Sequence, residues 1–326
     1  MNPLTESDAE RSIDAMNAWE TILADAAPES AGEPASAGQS PLAFDLRRAA
    51  AEGASAPTPL VFASPHSGRL YPEDMMAAAA LDAHAIRRSE DVLVDELVGR
   101  AAELGAAVIA ARYARAYIDV NREAFELDPS MFVDELPDFA RARTARVAAG
   151  LGAIARVVSE GQEIYARKLT FAEARGRIDR AHRPYHAALE RLIAEAHAAH
   201  GFAILIDWHS MPSAAARAGR DRPADFVLGD RFGAACAGAL TAQVERELES
   251  MGYRVARNSP YAGGYTTEHY GRPARRTHAL QIEINRGLYL DEATLQTTSR
   301  FARLKADLER LTATLAGTDW SALRGG

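Results

Sequence analysis

The sequence predicts an α/β domain in three layers, with helices on both sides of a mostly parallel or mixed central sheet. Short aliphatic segments alternate along the chain with longer segments of helical periodicity, which is the pattern of strands and helices built around one sheet. Segments 60–64 and 203–206 are almost wholly apolar, as is typical of strands buried on both faces. These two strands form the centre of the predicted sheet.

The remaining elements follow from periodicity and from turn residues. Apolar residues recur on one helical face of 89–104, and Gly105 is well placed to end that helix. Further strands are predicted at 106–110, 116–120, 253–256 and 279–284. Further helices are predicted at about 141–165, 171–199, 230–250 and 291–315.

The first part of the chain differs in composition from the rest. Residues 26–41 are dominated by Ala, Ser, Gly, Pro and Glu, a composition with too little apolar area to offset the entropy of ordering. We therefore expect a flexible N-terminal appendage at 1–41 and a single folded α/β domain at 42–326.

Charge and composition narrow the possible partners. The chain has 37 Lys and Arg against 45 Asp and Glu, a net charge of −8, which argues against nucleic-acid binding. The polar N-terminus is unlike a signal peptide, and no segment has the ~18 apolar residues of a membrane span, so we expect a cytoplasmic protein. The single cysteine, Cys236, excludes a multi-thiolate metal site. Any metal would be held by histidine and carboxylate.

Two histidines follow the two apolar strands. His66 comes just after 60–64, and His209 lies in 207–212, which we interpret as the loop leaving strand 203–206. The carboxyl ends of neighbouring parallel strands meet at one edge of a sheet, where ligands commonly bind. Catalytic zinc often takes two histidines and one carboxylate, so this pair suggests a metal site.

The third ligand is expected among two adjacent acids. Glu90 and Asp91 lie in the first turn of the predicted helix 89–104, where the helix dipole also favours acids without any metal. The pattern itself does not choose between them. Asp207 is a candidate to orient a metal-binding His209, or alternatively a loop-capping residue.

Other residues suggest chemistry beside such a metal. Glu283 lies between two isoleucines on a predicted strand, so it is either an inward-facing general base or the ion-pair partner of Arg286. Asn121 and Arg122 follow a predicted strand, and the planar guanidinium fork suits a carboxylate. Arg112 and Arg115 are both candidates to stabilise an oxyanion.

A second histidine pair has the i, i+4 spacing of a helical metal site. His182 and His186 are separated by Arg-Pro-Tyr, without the glutamate that accompanies such pairs in helical zinc proteases. We therefore interpret them as part of a solvated helix surface.

Taken together, these segments resemble a known family. The chain is similar to the N-formylglutamate amidohydrolase (N-formylglutamate deformylase) family, which shares an ancestral fold with the zinc carboxypeptidases. The resemblance extends over about residues 60–290. The matching motifs are Ser64-Pro65-His66-Ser67-Gly68, Ser89-Glu90-Asp91, Asp119-Val120-Asn121-Arg122, Asp207-Trp208-His209-Ser210, Asn258 to Tyr265 with His269-Tyr270-Gly271, and Glu283-Ile284-Asn285-Arg286.

The resemblance implies a phosphorylase/hydrolase-like fold of the zinc-carboxypeptidase type and assigns a role to each matching residue. His66, Asp91 and His209 correspond to the ligands of one Zn²⁺, with Asp91 preferred over Glu90 because the family most often keeps an Asp there. Glu283 corresponds to the acid that activates water. The substrate-binding set comprises Asn121 and Arg122, which grip a carboxylate, with Tyr265 and His269 in a loop that covers the substrate.

The activity that the resemblance implies is metal-dependent hydrolysis of N-formyl-L-glutamate to formate and L-glutamate. The expected partner is thus a small anionic N-acyl amino acid. Ser67 stands where the histidine-degrading members often have Asp, so the substrate follows less directly than the chemistry. The alternatives are a carboxypeptidase-like or other N-acyl amino acid amidase and, from a different class, a non-enzymatic binding protein of the same fold.

Overall fold

The computed structural model describes residues 42–48, 55–158, 161–217 and 221–324. The predicted appendage at 1–41 lies outside them. Nine strands occur in the described residues: β1 (Phe44–Arg47), β2 (Leu60–Ser64), β3 (Ala107–Ala111), β4 (Ala203–Met211), β5 (Phe226–Gly229), β6 (Val255–Arg257), β7 (Thr277–Asn285), β8 (Leu290–Asp291) and β9 (Gln296–Thr297).

The first seven strands form one mixed sheet in the order β1-β3-β2-β4-β7-β5-β6. The four central strands β3, β2, β4 and β7 are parallel, whereas β1 pairs antiparallel with β3 and β5 pairs antiparallel with β7. Strands β8 and β9 form a separate antiparallel pair. Because the central strands are parallel, the carboxyl ends of β2, β4 and β7 lie at the same edge of the sheet.

Helices connect the strands. The α-helices of the described residues are Glu73–Ala78, Ala83–Arg87, Val94–Leu97, Ala145–Ala148, Phe171–Arg177, Arg183–His200, Ser213–Arg217, Gly238–Ser250, Tyr265–Tyr270 and Phe301–Gly317. A π-helical turn, Ile178–His182, joins two of them into one helical segment over 171–200. That segment begins with a capping box between Thr170 and Glu173 and ends at Gly201, whose φ of 81° suits glycine.

Apolar clusters lie on both faces of the sheet, as a three-layer α/β fold requires. On one face, side chains of β2, β4 and β7 pack with helices Gly238–Ser250 and Phe301–Gly317, and Trp208 contacts Phe62 at a ring-centroid distance of 5.5 Å. On the other face, the helix Arg183–His200 contributes Tyr185, Leu189 and Leu192. The predicted fold class is therefore confirmed.

Several predicted elements differ in the structure. Strand β4 continues to Met211, so Asp207 and His209 lie on the strand and not in a loop, because β7 pairs with it along its whole length. The predicted helix 89–104 is replaced by the short helix Val94–Leu97 and a 3₁₀ helix, Gly99–Leu104, because Leu93 has a left-handed φ of 59°.

The segments between β3 and the 171–200 helical segment hold the largest errors. The predicted strand 116–120 is a series of turns. Of the residues that the structure describes within the predicted helix 141–165, only Ala145–Ala148 form an α-helix. Helices 230–250 and 291–315 begin later than predicted, at Gly238 and Phe301. Strands β1 and β5 were not predicted. Within the described part of the chain, no helix is long and apolar enough to cross a membrane.

Two glycines differ in how closely other atoms approach them, and substitution by alanine tests this difference. A Cβ at Gly68 would lie 2.1 Å from the backbone oxygen of Tyr113, so Gly68→Ala requires a backbone shift and should cost about 1–3 kcal/mol of stability. A Cβ at helical Gly176 would meet nothing within 4 Å, so Gly176→Ala should stabilise by about 0.5–1 kcal/mol. Urea unfolding measures both changes. Equal effects of the two substitutions would contradict this packing.

Candidate metal centre

His66 and His209 converge at the carboxyl edge of the sheet. His66 lies just beyond β2, and His209 lies on the neighbouring strand β4. Their Nδ1 atoms are 3.3 Å and 3.0 Å from the same Oδ2 atom of Asp91. The three side chains are buried, and their potential ligand atoms lie within 4.8 Å of one another. Among the described residues, this group is the one with the composition and spacing to hold a metal ion.

A second carboxylate orients each imidazole. His66 Nε2 is 2.7 Å from Asp119 Oδ1, and His209 Nε2 is 3.0 Å from Asp207 Oδ2. Both rings therefore present Nδ1 to the centre, as metal-binding histidines do when a carboxylate holds the other nitrogen. The sequence suggested Asp207 for this position. It did not suggest Asp119, although Asp119 opens the motif that contains Asn121 and Arg122.

The electrostatics of the group favour a cation at its centre. Burial alone would raise the pKa of Asp91, but its hydrogen bond to His209 and the charge of the adjacent His66 hold that pKa well below its usual range. Burial disfavours charge on His209, yet Asp207 and Asp91 raise the pKa of His209 well above normal. The buried His66 Nδ1 makes no hydrogen bond. Two imidazole nitrogens and a carboxylate oxygen, one nitrogen lacking a partner, fit a divalent metal such as zinc.

The structure distinguishes the two adjacent acids. Glu90 is fully buried away from the group, where it accepts hydrogen bonds from Tyr71 Oη at 2.5 Å and Arg87 Nε at 3.2 Å. Asp91 faces the histidines with Oδ2 and accepts from Arg286 with Oδ1 at 3.0 Å. The amide of Asp91 also donates to the carbonyl of His66 at 3.0 Å, which joins the two ligand-bearing loops.

Glu283 lies beside this group. In the register of β4 and β7 it is opposite His209, and both residues line one cavity of about 620 Å³. Its Oε1 accepts a hydrogen bond from Gln281 Nε2 at 2.8 Å, and the described residues include no ion-pair partner for it. Arg286, the partner considered from the sequence, pairs instead with Asp91. Burial raises the pKa of Glu283 to about 7.

Several arginines line the same cavity. Arg115 donates to Asp119 Oδ2 at 2.7 Å, whereas Arg112, the other oxyanion candidate, lies outside the cavity near Asp45. Arg122 donates through Nε to the carbonyl of Leu151 at 2.9 Å. Burial lowers the pKa of Arg122, and Asp119 only partly offsets this effect. The cavity thus combines a potential cation site with desolvated guanidinium groups.

Asn121 connects the metal-binding residues to the glycine-rich loop. Its Oδ1 accepts from the amide of Thr266 at 2.8 Å, and its Nδ2 lies 3.0 Å from His209 Nε2. The backbone of Gly264 passes so close that a Cβ there would lie 2.6 Å from Asn121 Nδ2. The segment 260–264 consequently forms part of the cavity wall.

The remaining predicted site residues lie elsewhere. Tyr265 and His269 do not line the cavity and stack on each other, with Tyr265 next to His186. Their contact with a substrate stays a prediction.

The interpretation of His182 and His186 as a solvated surface is wrong, because both are buried and their Nε2 atoms lie 2.9 Å and 2.8 Å from the carbonyl oxygens of Arg122 and Val120. They brace the two residues that flank Asn121.

The different surroundings of Glu90 and Asp91 lead to a direct prediction. Asp91→Asn removes a carboxylate from between the two imidazoles and should weaken zinc affinity at least ~100-fold, whereas Glu90→Gln should change it less than ~3-fold. Competition against a chromophoric chelator measures both affinities. A greater loss of zinc affinity in the Glu90 variant would show that Glu90, and not Asp91, is the acidic ligand.

Comparisons with known proteins show which family the chain resembles. A family model described as N-formylglutamate amidohydrolase matches residues 58–290. N-formylglutamate deformylase of Pseudomonas aeruginosa is 32% identical over 237 residues, 72% of this chain and 83% of the relative. The protein of the same name from Pseudomonas putida is 30% identical over 237 residues, 72% of this chain and 82% of the relative.

A solved structure extends the similarity to three dimensions. The crystal structure of N-formylglutamate amidohydrolase from Ralstonia eutropha has a TM-score of 0.75 and 41% identity, covering 84% of this chain and 97% of that one. A gene product of Agrobacterium tumefaciens, with a TM-score of 0.56 and 18% identity, covers 84% and 96% and shares the fold. With the family match extending over most of its length, the chain belongs to the N-formylglutamate amidohydrolase family.

Proposed function

We propose that the chain hydrolyses the formamide bond of N-formyl-L-glutamate to give formate and L-glutamate, with one Zn²⁺ held by His66, Asp91 and His209. The observation that carries this proposal is the convergence of both Nδ1 atoms on Asp91 beside Glu283 in one cavity. The names of the relatives, N-formylglutamate deformylase and amidohydrolase, support the same substrate.

The metal supplies Lewis acidity, which polarises the formyl carbonyl and acidifies water. Glu283 takes the proton of the attacking water as its oxygen adds to the formyl carbon. The same carboxyl then delivers that proton to the leaving nitrogen as the C–N bond breaks. A carboxyl whose pKa burial raises to about 7 suits both steps, because it accepts and releases a proton near neutral pH. The charge of a bound cation would shift that pKa downward.

Arginines position the substrate and its developing charge. Arg122 is the residue that we propose to bind the α-carboxylate, because its half-buried guanidinium is hydrogen-bonded to backbone carbonyls and has no carboxylate within 4.0 Å among the described residues. Asn121 precedes Arg122 in the chain, and its Nδ2 atom lies 3.0 Å from His209 Nε2. Arg115, fixed by Asp119 in the cavity wall, is the candidate to stabilise an anionic transition state.

A larger substrate is the second candidate. The cavity of about 620 Å³ is within the range that accepts drug-sized ligands, so it has room for more than N-formylglutamate. A carboxypeptidase-like or other N-acyl amino acid amidase activity would use the same residues. Parallel assays of formate release and of amine release from acetylated amino acids and dipeptides distinguish these activities.

The primary test is formate release from N-formyl-L-glutamate by zinc-loaded protein. We expect turnover that a chelator abolishes and added zinc restores, because the metal would polarise the formyl carbonyl that water attacks. Formate is measured with a coupled dehydrogenase. Full activity after verified removal of all metal would refute the proposed mechanism, and dipeptide hydrolysis without formate release would favour the second candidate.

Substitution of the proposed base should separate catalysis from metal binding. Glu283→Gln keeps the size of the side chain but cannot accept a proton, so kcat should fall at least ~100-fold while zinc content stays at one per chain. Glu249→Gln, an exposed helical position, is the charge-matched control and should leave both unchanged. Near-normal kcat in the Glu283 variant would exclude this residue as the base.

A further inference from the structure

One wall of the cavity contains an arginine, Arg146, to which the proposed mechanism gives no role. Residues of segment 146–158 form this wall together with Gly161, and Arg146 lies at its start in the short helix Ala145–Ala148. The Arg146 side chain is 33% exposed and makes no hydrogen bond within the described residues. Its nearest acid is Glu126, whose Oε2 is 3.8 Å away, beyond hydrogen-bond distance. The guanidinium donors of Arg146 are therefore available to a ligand.

Five of the described arginines line the cavity, and Arg88 is one that already has an interaction partner. Arg115 and Arg286 donate to Asp119 and Asp91 at 2.7 Å and 3.0 Å, so acids already neutralise both. Arg122 contacts only carbonyl oxygens. Arg122 and Arg146 thus provide two cations that are not hydrogen-bonded to any described carboxylate. Two such cations in one cavity match a ligand with two carboxylates.

From this arrangement we infer that Arg146 binds the side-chain carboxylate of the substrate while Arg122 binds the α-carboxylate. Arg146 is then the specificity-determining residue that selects dicarboxylic N-formyl amino acids over neutral ones. The inference rests on the proposed function and deepens it by assigning the second carboxylate.

The backbone holds Arg146 in a defined position relative to the catalytic residues. Thr144 caps its helix, and the Arg146 carbonyl accepts from the amide of Leu151 at 2.8 Å. The carbonyl of Leu151 in turn accepts from Arg122, and the carbonyl of Ala153 accepts from the amide of Asp119 at 2.7 Å. The wall that carries Arg146 is thereby joined to Arg122 and to the partner of His66.

The two cations are also close enough to affect each other. Burial lowers the pKa of Arg122 first, and among the further causes the charges of Arg115 and Arg146 lower it again. A dicarboxylate placed between Arg122 and Arg146 would relieve this repulsion. With a neutral side chain in the cavity, the nearest described carboxylate to Arg146 would remain Glu126, which is 3.8 Å away and beyond hydrogen-bond distance.

The test compares N-formyl-L-glutamate with N-formyl-L-glutamine, which has nearly the same shape but lacks the side-chain charge. Arg146→Gln should lower kcat/KM for the glutamate substrate at least ~30-fold, mainly through KM, and change it less than ~3-fold for the glutamine substrate. Arg143→Gln changes an exposed arginine that lies three residues before Arg146 and does not line the cavity. It is the charge-matched control and should change neither. Arg122→Ala should lower both, because both substrates carry the α-carboxylate.

A parallel loss on both substrates in Arg146→Gln, or no loss on either, would overturn the inference. If that variant does not fold, Arg146→Lys keeps the test decisive. It retains the charge and should keep a preference for the glutamate substrate, so equal rates on the two substrates would overturn the inference. If the unmodified protein releases formate from neither substrate, the proposed function fails. If the protein releases formate but its preference for the glutamate substrate does not change in the Arg146 variants, only the role assigned to Arg146 is contradicted.

Discussion

Asp91 lies between two imidazole nitrogens, and this contact determines the geometry of the whole site. Its Oδ2 is within 3.3 Å of both Nδ1 atoms, while Asp119 and Asp207 hold the opposite nitrogen of each ring. Three buried carboxylates around two imidazoles would be strongly destabilising without compensating positive charge. Protons on the rings, Arg115, Arg286 and a divalent cation can each provide that charge. Of these, the cation fits at the centre.

The backbone topology of the sheet determines where these groups lie. Parallel β2, β4 and β7 direct the His66 loop, His209 and Glu283 to one edge, and their neighbours complete the cavity. The loop after β2 is in turn joined to Asp91 through a backbone hydrogen bond. Buried His182 and His186 hold the carbonyls on either side of Asn121, so the adjoining Arg122 is supported from the helical layer. The group that could hold a metal and the arginine proposed to bind substrate are consequently supported by the same scaffold.

The sequence predicts the part of this site that depends on local pattern. His66 and His209 were identifiable because each follows an aliphatic strand segment. Helical periodicity alone did not distinguish Glu90 from Asp91, and only the family resemblance favoured Asp91. The orientation of the two acids depends on left-handed Leu93 and on the contact with His66, neither of which appears in helical periodicity. The Ala-rich segment 141–165 has high helix propensity, but its backbone bonds to residues of 119–126 override it. A polar residue within a strand, such as Asp207, likewise ends an apolar pattern without ending the strand.

In the proposed site, a metal is bound by His66 Nδ1, His209 Nδ1 and Asp91 Oδ2. Crystals of zinc-loaded protein, with anomalous scattering data at the zinc absorption edge, test this binding mode most directly. We expect one strong peak about 2.0–2.2 Å from these three atoms. Asp119 and Asp207 should still contact the Nε2 atoms of the two rings. A peak at another position, or ligation through Nε2 with the rings turned over, would contradict it.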